Sequence, residues 1–356
     1  MPWVLVFTGR ISGNGGGVAK QYVTARTGPF GPGDRAERPC SGGRVPVAGD
    51  RLSGRGPGRV PQGTARGFRR GTDAERTRTG EGQAMITTDF RPGSPSWIDL
   101  GAPDVAATAG FYRAVFGWEF ETAGADMADY GIFKLDGRTV GGLGRLTEEG
   151  ARSAWMIYFN TPDARAAAEA TERAGGRVRV APVDADGEGM MAQLTDPLGG
   201  QFAVWQPGTS PGLEAVDAPG TLAWTELYTT DAAAAKAFYG SLFGWQTSDM
   251  QLPGGGTYAL VTPAGCGEER MQGGIMELPG EHLTLTSGRP YWHPVFAVTD
   301  CDATVDRVRG NGGGLQMGPE DAEGVGRLAI CLDPSGADFV VLAPASDAGG
   351  SGVGQG

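Results

Sequence analysis

Histidine is almost missing from this chain, with two in 356 residues. That excludes any metal centre built on several imidazoles. Cysteine is also scarce, and Cys40, Cys266, Cys301 and Cys331 form no C-x-x-C pair. A chain of this size needs no disulfide staples, so the four read as free thiols of a reducing compartment, with the cytoplasm expected. No apolar run approaches the roughly 18 residues of a membrane span, so no membrane partner is expected. The opening WVLVF is too short for a secretion signal and has no basic segment before it.

Positive charge is lacking where most of the chain lies. Residues 1–84 hold 14 basic and 6 acidic side chains, leaving 16 and 35 for residues 85–356, and the whole carries −11. A body so acidic repels phosphate, which argues against nucleic acid as a partner. The basic head has no sustained period and is dominated by Gly, Arg, Pro and Ser, as in RLSGRGPGRVPQGTARGFRRG. Such a segment buries too little apolar surface to offset its ordering entropy, so 1–84 reads as a disordered head. The alternative is that the translated protein begins at Met85. GNGGG and GRGPG resemble phosphate loops only superficially, because no strand precedes them and no GK[ST] follows.

What is present is a repeat. Trp97 to Trp118 reads WIDLGAPDVAATAGFYRAVFGW, and Trp224 to Trp245 reads WTELYTTDAAAAKAFYGSLFGW, with Trp, acid, Asp, Phe-Tyr and Phe-Gly-Trp in unchanged spacing. A repeat of this length marks a duplicated fold. In the first copy Trp97–Leu100 alternates as a half-buried strand and Asp104 is placed to cap a helix. That helix is expected to run to Phe116 and stop at Gly117, burying Phe111, Tyr112, Val115 and Phe116. Short strands at 118–122, 130–135 and 138–143 follow, giving β-α-β-β-β. A second such unit runs from Trp155 through a helix near 164–174 to the Asp196-Pro197-Leu198-Gly199 turn and a strand at 201–205. Pro207 to Gly220 reads as a linker. The scheme then recurs, ending on Asp333-Pro334-Ser335-Gly336 and a strand at 338–342. The expected division is a head at 1–84, domains at 94–206 and 221–344, a linker at 207–220 and a flexible tail at 345–356. The fold class is α+β: two tandem domains, each of two paired βαβββ modules curled into a cup-shaped sheet.

Four such units, the F-Y-x-x-x-F-G-W ending and the DPxG turn resemble the vicinal oxygen chelate superfamily over residues 95–344. That superfamily includes glyoxalase I, bleomycin-resistance proteins, fosfomycin-resistance enzymes and extradiol dioxygenases. The tandem arrangement resembles a bacterial subgroup labelled hydroxylases or 27 kDa antigens. The resemblance implies a ligand held in the cup. It also implies a monomer with an internal pseudo-dimer, or a homodimer. In metal-using members the ligands stand seven residues before each cap Asp and seven after the DPxG Asp. Those places hold Trp97, Met156 and Ala203 here, then Trp224, His293 and Val340. Five of the six cannot ligate a divalent ion, so no metal and no cofactor are expected.

Asp99 and Glu226 lie two residues beyond the Trps and share their strand face. An aromatic wall with one carboxylate suits a flat or cationic ligand, or a general base raised by its surroundings. The competing reading is that each acid bonds backbone groups or an Arg between the domains. His293 is either a general base or hydrogen-bond anchor, or simply a satisfied inward residue. Tyr158 is either a ligand contact or core. The expected substrate-binding set is therefore Trp97, Asp99, Tyr158, Trp224, Glu226 and His293, with Asp99, Glu226 and His293 the catalytic candidates. The expected partner is a small organic molecule, bound without a metal in the manner of a bleomycin-resistance protein. The alternative is a lyase, isomerase or hydroxylase-type enzyme, and a non-catalytic scaffold is a third reading.

Overall fold

Four aspartates begin the four α-helices of the described residues. Asp104, Asp163, Asp231 and Asp300 sit in extended backbone, and each carboxylate accepts from an amide of the first turn. They cap α1 (Val105–Phe116), α2 (Ala164–Arg173), α3 (Ala232–Phe243) and α4 (Cys301–Gly310). An Asp cap supplies about 1 kcal/mol and fixes where each strand gives way to its helix. Gly117 and Gly244 end α1 and α3 at φ 78° and 71°, the left-handed conformation glycine takes without penalty.

The computed structural model describes residues 86–122, 130–146, 150–252 and 255–345. The head expected at 1–84 and nearly all of the tail lie outside these residues. The first half contributes β1 (Pro95–Ala102), β2 (Glu119–Thr122), β3 (Tyr130–Leu135), β4 (Arg138–Arg145), β5 (Ala154–Asn160), β6 (Arg177–Asp184), β7 (Gly189–Thr195) and β8 (Gln201–Pro207). The second contributes β9 (Leu222–Thr229), β10 (Gln246–Gln251), β11 (Thr257–Thr262), β12 (Gly273–Glu277), β13 (Tyr291–Ala297), β14 (Gly314–Ala322), β15 (Gly326–Leu332) and β16 (Asp338–Pro344). They form two eight-stranded sheets of the same order, β2-β3-β4-β1-β5-β8-β7-β6 and β10-β11-β12-β9-β13-β16-β15-β14. In each sheet the two βαβββ units meet at the centre, where β1 runs antiparallel to β5 and β9 to β13. Period-2 alternation then sends one set of side chains to the concave face and the other to the helices.

The helix-facing set joins the two halves. α1 packs on α4, and α2 on α3. Phe116 and Trp118 of the first half pack against Phe296 of the second, with ring centroids 5.2 and 5.3 Å apart. In reverse, Trp245 and Trp292 of the second half meet Phe159 at 5.0 and 5.1 Å. The repeated tyrosine crosses over as well. Tyr239 donates to Asp196 at 3.0 Å and Tyr112 to Asp333 at 3.4 Å, each in the DPxG turn of the other half. Trp155 and Trp292 in turn donate to the hydroxyls of Tyr112 and Tyr239. Trp118 and Trp245 reach the other half's backbone at Gly220 O and Gly93 O, at 2.8 and 2.9 Å. The Phe-Tyr…Phe-Gly-Trp blocks are core, and they form the core between the halves rather than within one. The segment between the sheets is also packed: Leu213 and Ala215 are buried, and Glu214 accepts from the Thr139 amide at 2.7 Å.

Candidate functional site

The concave face of the second sheet is filled. Trp224, Tyr228, Tyr258, Val295, Val340 and Leu342 form a buried cluster there. Met271, Met276, Leu283 and Val325 complete it from the sheet rim and connecting segments. Inside lies a chain of polar groups. Glu226 and His293 face each other across β9 and β13, and both are 0% exposed. His293 Nε2 lies 3.0 Å from Glu226 Oε2, and its Nδ1 lies 3.0 Å from Asp338 Oδ2. Glu226 Oε1 accepts from the Tyr258 hydroxyl at 2.7 Å, and the Tyr258 oxygen in turn accepts from Trp224 Nε1 at 3.0 Å. Asp338 Oδ1 accepts from Arg152 of the first half at 3.1 Å.

Burial works against charge on His293, but its bonds to Asp338 and Glu226 outweigh it and hold the imidazole up to about 9. Burial likewise raises Asp338, yet His293 and Arg152 bring it below the usual carboxylate range. His293 is therefore a buried imidazolium between carboxylates. Its two nitrogens point to opposite sides, so those carboxylates cannot share an ion with it.

The first cup keeps the aromatic-acid part of this pattern and loses the rest. Tyr130 stands for Tyr258 and bonds both Trp97 and Asp99. The Tyr158 hydroxyl is 3.5 Å from Asp99 Oδ2. The places of His293 and Asp338 are taken by Met156 and Gln201, since Asp163 and Asp196 correspond to Asp300 and Asp333. The interior cluster is small: Tyr158, Ala203 and Trp205, with Trp97, Met156 and Met191 against it. With no ion chain to fill the space, a cavity of about 690 Å³ remains. Asp99, Tyr130, Met156, Tyr158, Gln193 and Gln201 line it from the first sheet. The segment from Leu285 to Trp292 closes it from the second half.

Asp99 is half-buried as a residue, but its Oδ1 is sealed from solvent and has no hydrogen-bond partner. Burial pushes its carboxyl up to about 7, against the opposing pull of the Tyr130 and Tyr158 hydroxyls. At neutral pH it is thus poised between accepting and donating.

Of the six binding residues expected from sequence, Asp99 and Tyr158 line this cavity. Trp97 lies half-buried behind Tyr158 on the cup wall. Trp224, Glu226 and His293 come together, but in the filled interior of the other cup. Sequence reasoning missed Tyr130, Gln193, Gln201 and four lining arginines: Arg145, Arg152, Arg179 and Arg289. Tyr130 was findable, because an aromatic recurs near the start of both third strands, each followed by a strand that carries a Gly-Gly pair.

A description of the Glyoxalase/Bleomycin resistance protein/Dioxygenase superfamily matches residues 221–341, and that of a glyoxalase-like domain matches 97–205. Anthracycline biosynthesis protein DnrV of Streptomyces peucetius is 37% identical over 270 residues, covering 72% of this chain and 94% of that protein. The Mycobacterium tuberculosis protein CFP32, named as a glyoxylase, is 34% identical over 266 residues, covering 72% of this chain and 97% of its own. Among solved structures, 2,2',3-trihydroxybiphenyl 1,2-dioxygenase of Sphingomonas wittichii superposes with a TM-score of 0.51 at 15% identity, covering 71% of this chain and 90% of that one. The 2,3-dioxygenase LapB of a Pseudomonas species gives 0.50 at 15%, covering 70% and 92%. At that identity the two structures speak for the fold alone. No helix among the described residues is long and apolar enough to cross a membrane. With both sheets matched and relatives aligned over most of their length, the chain belongs to the glyoxalase, bleomycin-resistance and dioxygenase superfamily, with two such domains in one polypeptide.

Proposed function

We propose that this protein binds a flat organic molecule in the first cup, and does so without a metal ion. The observation that carries the reading is the contrast between the cups: one is packed solid, while the other keeps a cavity of about 690 Å³ around Asp99, Tyr130 and Tyr158. That volume falls within the range of roughly 300–1,000 Å³ usual for small-molecule pockets. Aromatic walls favour a planar ligand, and Asp99, Gln193 and the tyrosine hydroxyls supply a few polar contacts to orient it. Relatives named for anthracycline biosynthesis support a fused-ring aromatic compound.

Metal independence rests on the donors. Trp97, Met156 and Ala203 stand at the inherited ligand places of the open cup. In the other, His293 has both nitrogens engaged, and among the described residues no three His, Cys, Asp or Glu side chains are grouped to hold an ion. This donor set does not fit a divalent cation.

The test is a fluorescence titration with three anthraquinones substituted at position 2 by carboxamide, carboxylate or trimethylammoniomethyl. At least one is expected to quench the intrinsic tryptophan and tyrosine signal saturably. Tyr158→Ala should weaken that binding several-fold, up to roughly tenfold for a lost ring contact. Absence of saturable quenching by all three would sink the reading. Stoichiometric metal retained after dialysis would sink the metal-independent part.

One observation favours a second reading. Asp99 is a cavity carboxyl whose affinity for the proton sits near neutrality, the condition for general acid-base work. In that reading a bound compound disappears on incubation with the wild-type protein and persists with Asp99→Asn.

A further inference from the structure

The two halves differ in the partner of one arginine. Arg152, just before β5, and Arg289, just before β13, occupy the same place in the repeat, each three residues ahead of a tryptophan and eleven ahead of a helix-capping aspartate. Arg152 reaches into the other half, donating to Gly336 O at 2.9 Å and to Asp338 at 3.1 Å. Arg289 makes the mirrored approach and lies against Gly199, the counterpart of Gly336. The residue corresponding to Asp338, however, is Gln201. Arg289 donates through Nε to Thr286 O and has no carboxylate partner among the described residues. Both Arg289 and Gln201 line the cavity.

The rest of the lining has the same sign. Arg145, Arg152, Arg179 and Arg289 line the cavity with one carboxylate, Asp99; Arg152 is paired with Asp338 and Arg179 donates to Gln201, which leaves Arg289 for a ligand. Arg145, Arg179 and Arg289 are exposed, whereas Asp99 lies deeper with its Oδ1 sealed. A cationic ligand, which an isolated carboxylate against indole would attract, also meets the Arg289 guanidinium. An anion meets guanidinium forks whose planar geometry matches two carboxylate oxygens.

We infer that the ligand of the first cup is an aromatic carboxylate, whose charged group takes at Arg289 the part that Asp338 plays at Arg152. This rests on the small-molecule reading above. The ring packs on the cavity wall that Tyr130 and Tyr158 line, and the carboxylate points outward to Arg289.

The same three anthraquinones decide it. The carboxylate is expected to bind about tenfold more tightly than the carboxamide, the value of one charge-assisted bond, and more tightly still than the cation. Its affinity should fall with added salt while that of the carboxamide holds. Arg289→Gln should reduce the carboxylate-to-carboxamide affinity ratio about tenfold. Gln201→Asp, which adds a fixed carboxylate to the cavity where Gln201 now accepts from Arg179, should reduce the ratio similarly. Equal binding of carboxylate and carboxamide, preference for the cation, or a ratio unchanged in both variants overturns the inference but leaves the binding reading standing. No binding by any of the three overturns both. Thermal melting of each variant, matched to wild type, shows that a lost ratio is not lost folding.

Discussion

At the scale of single residues, His293 stabilises the second cup only while it is charged. Its partners and neighbours are Glu226 from β9, Asp338 from β16 and, beyond Asp338, Arg152. The rings of Tyr228 and Tyr291 pack against it and the Tyr258 hydroxyl bonds Glu226, all three hydroxyls being pushed upward by burial. The imidazole is held at about 9 in the fold against 6.5 when free. A group raised on folding contributes fully below its unfolded value and loses the contribution as pH climbs to the folded one. Stability is thus expected to decline between pH 6.5 and about 9 by roughly 3 kcal/mol. Urea unfolding across that range checks it, and a slope as steep in His293→Gln as in wild type would contradict it. His293→Ala should cost about 3–5 kcal/mol, because it leaves two buried carboxylates facing an empty space.

At the scale of elements, the glycine pairs of β4 and β12 make room for tyrosine. Gly142 lies beside Asp99 and Gly274 beside Glu226 in the parallel ladders. A methyl group on Gly142 would strike Asp99 Oδ1 and the Tyr130 hydroxyl, and one on Gly274 would strike the Tyr258 ring and hydroxyl. Gly274→Ala is accordingly expected to destabilise the fold by about 1–3 kcal/mol, as overpacking does. Calorimetry would show it, and a melting temperature within a degree of wild type would refute it. Sequence made the elements themselves legible, because their signals are local. The Asp caps, helix-ending glycines and DPxG turns each act within a few residues. What approaches the glycine pairs was not legible in the sequence. That depends on the register of β1 against β4, which no local pattern carries. Asp99 and Tyr158, by contrast, were identifiable as cup-facing by strand alternation, which is local. The different fates of Met156 and His293, Gln201 and Asp338, became clear only when β5 was set beside β8 and β13 beside β16.

At the scale of the whole molecule, the helix-facing aromatics belong to neither half alone. Helical periodicity showed that Tyr112 and Tyr239 are buried, and it is silent on which body buries them. Asp333 and Asp196 of the opposite halves supply the answer. Each half by itself would expose rings such as Trp118, Phe296 and Phe339, now fully covered. Residues 86–207 and 208–345 expressed separately are expected to aggregate or to melt without cooperativity, and to recover a cooperative transition when co-expressed. Two independently folding, monodisperse halves would contradict this picture.

Arg152 meets Asp338, and the place that Asp338 holds in one half is held by Gln201 in the other. Two identical subunits related by a twofold axis must repeat every contact on both sides, so they could not hold a carboxylate at one of these places and an amide at the other. A single polypeptide carrying both copies is free of that constraint. Joining the halves is what allows one cup to be spent on stability and the other to stay open, a division of labour that a symmetric dimer of this fold cannot encode.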